Sequence, residues 1–414
     1  MGKRLILYLL IGFYSSCLIG QQTFTFGYAP PEIEDKSKVE IPFEYKNGLI
    51  IVEVVFNRIF PLRFIFDTGA EHTILTRREI TDLLSVNYRR KFTLYGADLS
   101  TELVAYLAQG IQLQIGNLWL PNRNILVLEE DYFNFDEFSG VDIQGVLGAD
   151  VFRRYVVEID YNRHKITFYK REDFRGPGKR FEAFPVEFHR SRPYITVPVK
   201  SASDSLVQTK LLLDSGSSLP LILYPETSPV LKIPEQVVPG QLGLGLGGFL
   251  EGVVGRVQEV RVAGTILPDV VTSFQNLGDV IDSTTLNNRN GIIGNQSLEH
   301  FHIIIDYVKQ KLYLSPVSRK TPEFKFDRSG LFVIASGKYL NQFKIASVVE
   351  GSPADKAGLQ VDDLLVRINW VPTSLMTLGN IQWKFKKRVG KQFTVVYERN
   401  GKRHRTQMTL KELI

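Results

Sequence analysis

Two short sequences in this chain could do acid–base chemistry together, Asp67-Thr68-Gly69 and Asp214-Ser215-Gly216. Each follows an apolar run that reads as a strand, Phe64-Ile65-Phe66 in one case and Leu211-Leu212-Leu213 in the other, and each precedes a second apolar stretch. A carboxylate on a tight glycine turn between buried strands is costly to desolvate unless it is hydrogen-bonded or used. Two such turns face to face would set like charges at close range, where both cannot ionise, so the pair would share one proton over a broad acidic range. The ionised member can take a proton from water while the protonated one hydrogen-bonds a carbonyl. That is amide hydrolysis with neither metal nor covalent intermediate. Either triplet alone is an ordinary turn sequence; the argument rests on there being two.

The elements that must position these turns are also duplicated. The aspartates lie 147 residues apart, Val146-Leu147-Gly148 parallels Ile292-Ile293-Gly294 at an offset of 146, and Ile159-Asp160-Tyr161 parallels Ile305-Asp306-Tyr307 at the same offset. Each copy then closes on a strand pattern, Lys165 to Tyr169 and Lys311 to Leu314. Short apolar runs broken by Gly, Pro and Asn dominate, and long helical periodicity is nearly absent before residue 350, so the region is expected to be mostly β. Two homologous lobes follow, about residues 40–172 and 182–317.

The duplicated triplet with its downstream apolar-apolar-Gly element resembles the aspartic peptidases. Asp67-Thr68-Gly69-Ala70 is similar to the retroviral type and Asp214-Ser215-Gly216-Ser217 to the pepsin type, and the short lobes resemble a tandem retropepsin. The resemblance implies two retropepsin-like (acid protease) β-barrel lobes in one chain, with Asp67 and Asp214 catalytic and no cofactor. It also implies that Thr68 and Ser215 brace the two loops by crossed hydrogen bonds. Ala70 and Ser217 occupy equivalent places, so a hydroxyl is available only beside Asp214, which is therefore expected to be the more readily ionised. The substrate implied is a polypeptide, and a monomer suffices because both aspartates are in cis. The alternative is a peptide-binding or regulatory protein that keeps this fold without cutting.

Such a site needs flaps that close over an extended substrate. A glycine-bearing turn starts about 29 residues after each aspartate, Tyr95-Gly96-Ala97-Asp98 and Gly243-Leu244-Gly245-Leu246-Gly247-Gly248. Tyr95, Gly96, Gly245, Gly247 and Gly248 are the flap candidates, with packing at a strand end the plainer role for Tyr95. The second turn also fits G-x-G-x-x-G, but Pro234 and Pro239 precede it and no βαβ unit surrounds it, so dinucleotide binding is rejected.

After a polar linker, 318–326, the composition changes, and residues 327–414 are expected to form a small α+β domain. Ser352-Pro353 is a helix start, Gly358 a stop, and Asn400-Gly401 a hairpin turn. Ser329-Gly330-Leu331-Phe332, with Ile345 to Leu359 and Asp363 to Asn369, is similar to PDZ domains of bacterial exported proteases. The resemblance implies a C-terminal peptide ligand added as a strand, its carboxylate held by the loop Gly330, Leu331 and Phe332, with the helix near Leu375 to Phe385 as the other wall. Simple packing on the protease lobes is the competing reading. Asp362 and Trp370 stand where glycine is usual, and Trp370 is expected to carry strain if its φ is positive.

Composition narrows the remaining classes. The chain has 414 residues and one cysteine, Cys17, so disulfide scaffolds, cysteine nucleophiles and cysteine-ligated zinc are excluded. The charge of +6 is spread along the chain, which reads as solubility and not nucleic-acid binding. His300 and His302 share a strand face without partners for a metal site, and no Gly-x-Ser-x-Gly elbow is present. Lys3 and Arg4, the apolar run Leu5 to Phe13 and small residues up to Gly20 read as a signal peptide over 1–20, followed by a lead-in over 21–39. Export to the periplasm, cell surface or medium is expected, with no transmembrane span. Tyr14 is bulky where lipid attachment at Cys17 would want a small aliphatic residue, so cleavage near Gly20 is the expected outcome and lipidation the alternative.

Overall fold

The computed structural model describes residues 32–33, 37–95, 102–202, 205–245, 248–276 and 288–414. The expected signal peptide, Cys17, most of the lead-in, and the flap candidates Gly96 and Gly247 lie outside the described residues. The chain is mostly β. No helix among the described residues is long and apolar enough to cross a membrane.

Strands form where the sequence alternates or runs apolar. Lys38–Pro42 buries every second residue, as a strand with one wet face should, whereas Leu49–Phe56 is apolar except at Glu53 and Val207–Asp214 is buried over its last four residues, Leu211 to Asp214. The first lobe is built on a nine-stranded sheet and the second on an eight-stranded one. Both share one local arrangement. Gly145–Leu147 runs parallel to Phe60–Phe66 and antiparallel to Ile74–Leu75. Gly291–Gly294 runs parallel to Val207–Asp214 and antiparallel to Leu221–Leu223.

Glycine starts both crossing strands for a steric reason. A Cβ on Gly145 would stand 2.4 Å from the Ile74 carbonyl oxygen, and one on Gly291 would stand 2.0 Å from that of Ile222. No side chain fits there without moving backbone.

The two copies also meet. Val156–Asp160 pairs antiparallel with Phe301–Asp306, Val156 opposite Asp306, at the centre of a six-stranded sheet that spans both lobes. A single apolar cluster runs from Val39 to Leu314 and includes Phe66, Phe152, Ile293 and Ile305. The dyad turns therefore stand on a common floor.

The C-terminal unit has a separate core drawn from residues 331 to 410. Its sheet runs in the order Leu331–Ser336, Gln342–Val348, Leu364–Ile368, Gln392–Arg399, Lys402–Thr409. Ser352 caps the helix Pro353–Lys356, Gly358 follows it at φ 75°, and Asn400 and Gly401 turn the last hairpin at φ 50° and 74°. Left-handed φ falls on Asp362 (69°) and Asn369 (55°), not on Trp370, which is 87% exposed. The strain expected at Trp370 is thus absent; Asp362 takes the conformation that glycine would adopt freely.

Candidate active site

Asp67 ends the strand Phe60–Phe66, and its N–H donates to the Leu147 carbonyl at 3.1 Å. The turn that follows folds back on it. The N–H groups of Gly69 and Ala70 donate to Asp67 Oδ1 at 2.6 and 3.0 Å. In the second lobe the Gly216 N–H donates to Asp214 Oδ1 at 2.8 Å. A Cβ on Gly69 would lie 2.7 Å from Asp214 Cγ, and one on Gly216 would lie 2.3 Å from Asp67 Cγ. Each glycine is thus the floor on which the other lobe's carboxyl rests.

The adjacent hydroxyls lock the turns together. Thr68 Oγ1 donates to the Leu213 carbonyl at 2.7 Å and accepts the Ser215 N–H at 3.0 Å; Ser215 Oγ donates to the Phe66 carbonyl at 2.8 Å and accepts the Thr68 N–H at 3.0 Å. All four groups are buried, so each is costly to leave unmet. Ser215→Ala strands one donor and one acceptor. The expected loss is roughly 2–4 kcal/mol of folding stability, read as a lower urea midpoint; an unchanged midpoint would show that the clasp is not needed to hold the lobes.

Asn295 supports the second turn from beneath. Its Nδ2 donates to the Ser215 carbonyl, its N–H donates to the Ser217 carbonyl at 2.8 Å, and its Oδ1 accepts the Tyr161 hydroxyl at 2.6 Å. Nothing in the sequence had singled it out.

The two carboxyls are both buried, Asp67 1% and Asp214 2% exposed, and burial drives both pKa values up. They differ in what else acts on them. Asp67 is pushed well up, first by burial and then by the charge of Asp214 and the hydrogen bond between them, and its Oδ2 has no backbone donor. Asp214 is raised by burial but held down by the hydrogen bond from Asp67, the Gly216 N–H, the Arg289 guanidinium and the Ser217 N–H. These surroundings favour the proton on Asp67 and the charge on Asp214.

The direction agrees with the expectation from sequence, but the cause does not. The Ser217 hydroxyl makes no hydrogen bond to Asp214 among the described residues and lies instead beside the backbone of Gly294. After the Asp67 hydrogen bond and the Gly216 N–H, the next group that lowers the Asp214 pKa is a buried cation. Arg289, 0% exposed, lies under the second lobe's turn with its guanidinium donating to the Tyr224 hydroxyl at 3.3 Å. The sequence Asn288-Arg289-Asn290 carries no pattern that marks it.

Two buried carboxyls, one from each lobe, are thus brought together in unequal surroundings. Residues 52–151 match the family model described as aspartyl protease. Residues 344–399 match the model of the PDZ domain. The chain is thus similar to an aspartyl protease over residues 52–151, which hold Asp67, and to a PDZ domain over residues 344–399. A "Probable CtpA-like serine protease" of Staphylococcus saprophyticus is 34% identical over 89 residues, which is 21% of this chain and 18% of that relative. Among solved structures, the aspartic proteinase from Irpex lacteus aligns with a TM-score of 0.42 at 15% identity, over 68% of this chain and 98% of its own. Conglutin gamma, a basic 7S globulin from lupine seeds, aligns with a TM-score of 0.42 at 10% identity, over 68% and 95%.

Asp67 and Asp214 border a cavity of about 310 Å³. Of the described flap candidates, Tyr95 ends the strand Tyr88–Tyr95, paired with Glu102–Ile115, and Gly245 pairs with Gly248 between the strands Val238–Gly245 and Gly248–Val262. Of the described residues, the second hairpin contributes Val238, Pro239, Gly240 and Val254 to the cavity wall. On the first lobe's side the wall is Phe133, Phe135 and Phe138, in a segment the sequence reading passed over. Their spacing is the signal that was there to find, three aromatics in six residues ahead of a glycine.

In the C-terminal unit, the N–H groups of Ser329 and Gly330 donate to Asp327 Oδ1 at 2.8 and 2.7 Å, and that of Leu331 to Ser329 Oγ at 3.1 Å. Of the loop Gly330, Leu331 and Phe332, the Gly330 N–H is thus engaged by Asp327 and the Leu331 N–H by Ser329 Oγ. Burial raises the Asp327 pKa to about 6 even so. His302 is a buried ion-pair residue, with Nε2 2.6 Å from Glu158 Oε1, and no metal-holding cluster exists among the described residues.

Proposed function

We propose that the chain is an aspartic-type endopeptidase acting on exported polypeptides. The observation that carries this reading is the pairing of Asp67 and Asp214 across the clasp of Thr68 and Ser215, with one proton between them. Asp214 takes a proton from water as the oxygen attacks the scissile carbonyl, and Asp67 donates its proton to the carbonyl oxygen. The tetrahedral carbon then expels the amine, which leaves with a proton from the dyad. One chain supplies both carboxyls, so a monomer suffices. The PDZ match supports peptide recognition by the C-terminal unit. Export rests on Lys3, Arg4 and the apolar run Leu5 to Phe13.

The test is cleavage of a quenched peptide library by the purified chain from pH 3 to pH 8. Cleavage confined to the acidic half of the range is expected, because loss of the shared proton at higher pH removes the general acid. A folded chain that cuts nothing at any pH would leave a protein that binds peptides on this fold.

A further inference from the structure

The C-terminal unit is part of the cleft. Phe326, Leu331 and Phe332 line the same cavity as Asp67 and Asp214. Phe332 is held there by the first lobe, for the helix Phe135–Ser139 packs on the strand Leu331–Ser336 and Phe138 stacks on Phe332 with ring centroids 5.9 Å apart. Such stacking of half-buried rings fixes both side chains.

The same contact fills the unit's own groove. Leu331–Ser336 is an edge strand, paired only with Gln342–Val348, and the helix Leu378–Phe385 stands across from it. Between such an edge and such a helix a PDZ ligand would add as a strand. Gly140, at φ 66° just beyond Ser139, occupies that space; a Cβ on it would lie 2.9 Å from Leu378 Cβ and 3.9 Å from Ala335 Cβ. Asn47 pins the segment by donating from Nδ2 to the Ser139 carbonyl at 2.7 Å. The first lobe thus fills the strand groove, and Asp327 of the C-terminal unit itself takes the Gly330 N–H of the carboxylate loop.

We infer that Phe332, backed by Phe138, is a specificity-determining residue that forms an apolar subsite beside the dyad for a bulky aliphatic or aromatic side chain of the peptide, while the groove behind it is occupied in cis. The inference rests on the peptidase reading for its catalytic consequence and on the cavity alone for binding. An apolar wall of this kind distinguishes side chains by their buried surface, typically by tenfold or more per group removed.

The experiment uses the full chain and paired peptides that carry Phe or Ala next to the scissile bond. The parent is expected to favour the Phe peptide in kcat/KM, and Phe332→Ala to cut that preference roughly tenfold, mainly through KM and with the pH profile unmoved. Phe332→Leu should restore part of it. The same pairs are titrated by fluorescence anisotropy onto Asp214→Asn and onto that variant with Phe332→Ala, so that the subsite is read without chemistry. An unchanged preference in a normally melting Phe332→Ala protein overturns the inference. If the parent never cuts, the peptidase reading fails, and the anisotropy arm still decides the subsite. Finally, apolar peptides with a free and an amidated C-terminus should bind equally; tighter binding of the free carboxylate would show the loop open to foreign ligands and overturn occupation in cis.

Discussion

Asp67→Asn and Asp214→Asn in the full chain each lower peptide cleavage by roughly 10³-fold or more. Either change removes one half of a proton relay that has no other titratable partner in place. In Asp214→Asn the acceptor for the water proton is gone; in Asp67→Asn the donor to the carbonyl oxygen is gone. Asparagine keeps Oδ1, so the N–H groups of Gly69, Ala70 and Gly216 retain their acceptor and the turns keep their shape. Loss of activity is therefore expected without loss of fold, which circular dichroism and thermal melting check.

Asp67→Asn should also change how stability depends on pH. A carboxyl whose folded pKa is raised contributes stability that is full below its unfolded pKa and is lost as pH rises through the folded value. Asp67 is such a group. Once pH exceeds the unfolded carboxyl range the folded parent must either hold the proton on Asp67 or bury a second charge, and the variant does neither, so Asp67→Asn is expected to melt higher than the parent near neutral pH and to converge with it in acid. Substantial cleavage by either variant would dispose of the dyad; equal melting curves at neutral pH would show that the buried carboxyls cost the fold nothing.

The lobes were legible because duplication is visible at the level of residue type. Matching Asp-Thr/Ser-Gly, apolar-apolar-Gly and closing strands at one offset could be aligned by eye, and the pairing of Val156–Asp160 with Phe301–Asp306 follows from each copy contributing the same strand. The crossed clasp was legible for the same reason, since Thr68 and Ser215 occupy equivalent places. What breaks the symmetry was not. Arg289, Asn295 and Phe138 act through distances that span 75, 80 and 194 residues of chain, and no local pattern encodes which carboxyl a buried guanidinium will favour. Ser217 was the nearest hydroxyl outside the clasp, yet its side chain lies beside Gly294. The place of Asp327 was not legible for a related cause: it precedes the glycine as any loop aspartate might, and only the fold shows its carboxyl seated on the N–H groups of Ser329 and Gly330.

Arg289 carries the second large effect. Its guanidinium is the one cation acting on Asp214 among the causes of that carboxyl's shift, and it is wholly buried, so its field is weakly screened. Arg289→Met removes the charge and keeps most of the volume. Asp214 then holds its proton to higher pH, and the acid limb of the pH–rate profile moves to higher pH, with about a tenfold loss of rate at the acid end for each pH unit of movement. The sign is fixed by the chemistry, since activity on that limb requires one ionised carboxyl. Fold should survive: Arg192, also buried, is pushed toward its neutral form partly by the Arg289 charge, so one repulsion is relieved while the Tyr224 hydroxyl loses a donor at 3.3 Å. Arg289→Lys keeps the charge and should leave the limb in place. If the profiles of Arg289→Met and the parent superimpose, Asp214 owes its ionisation to the turn's N–H groups alone, and the asymmetry of the pair is set by backbone geometry.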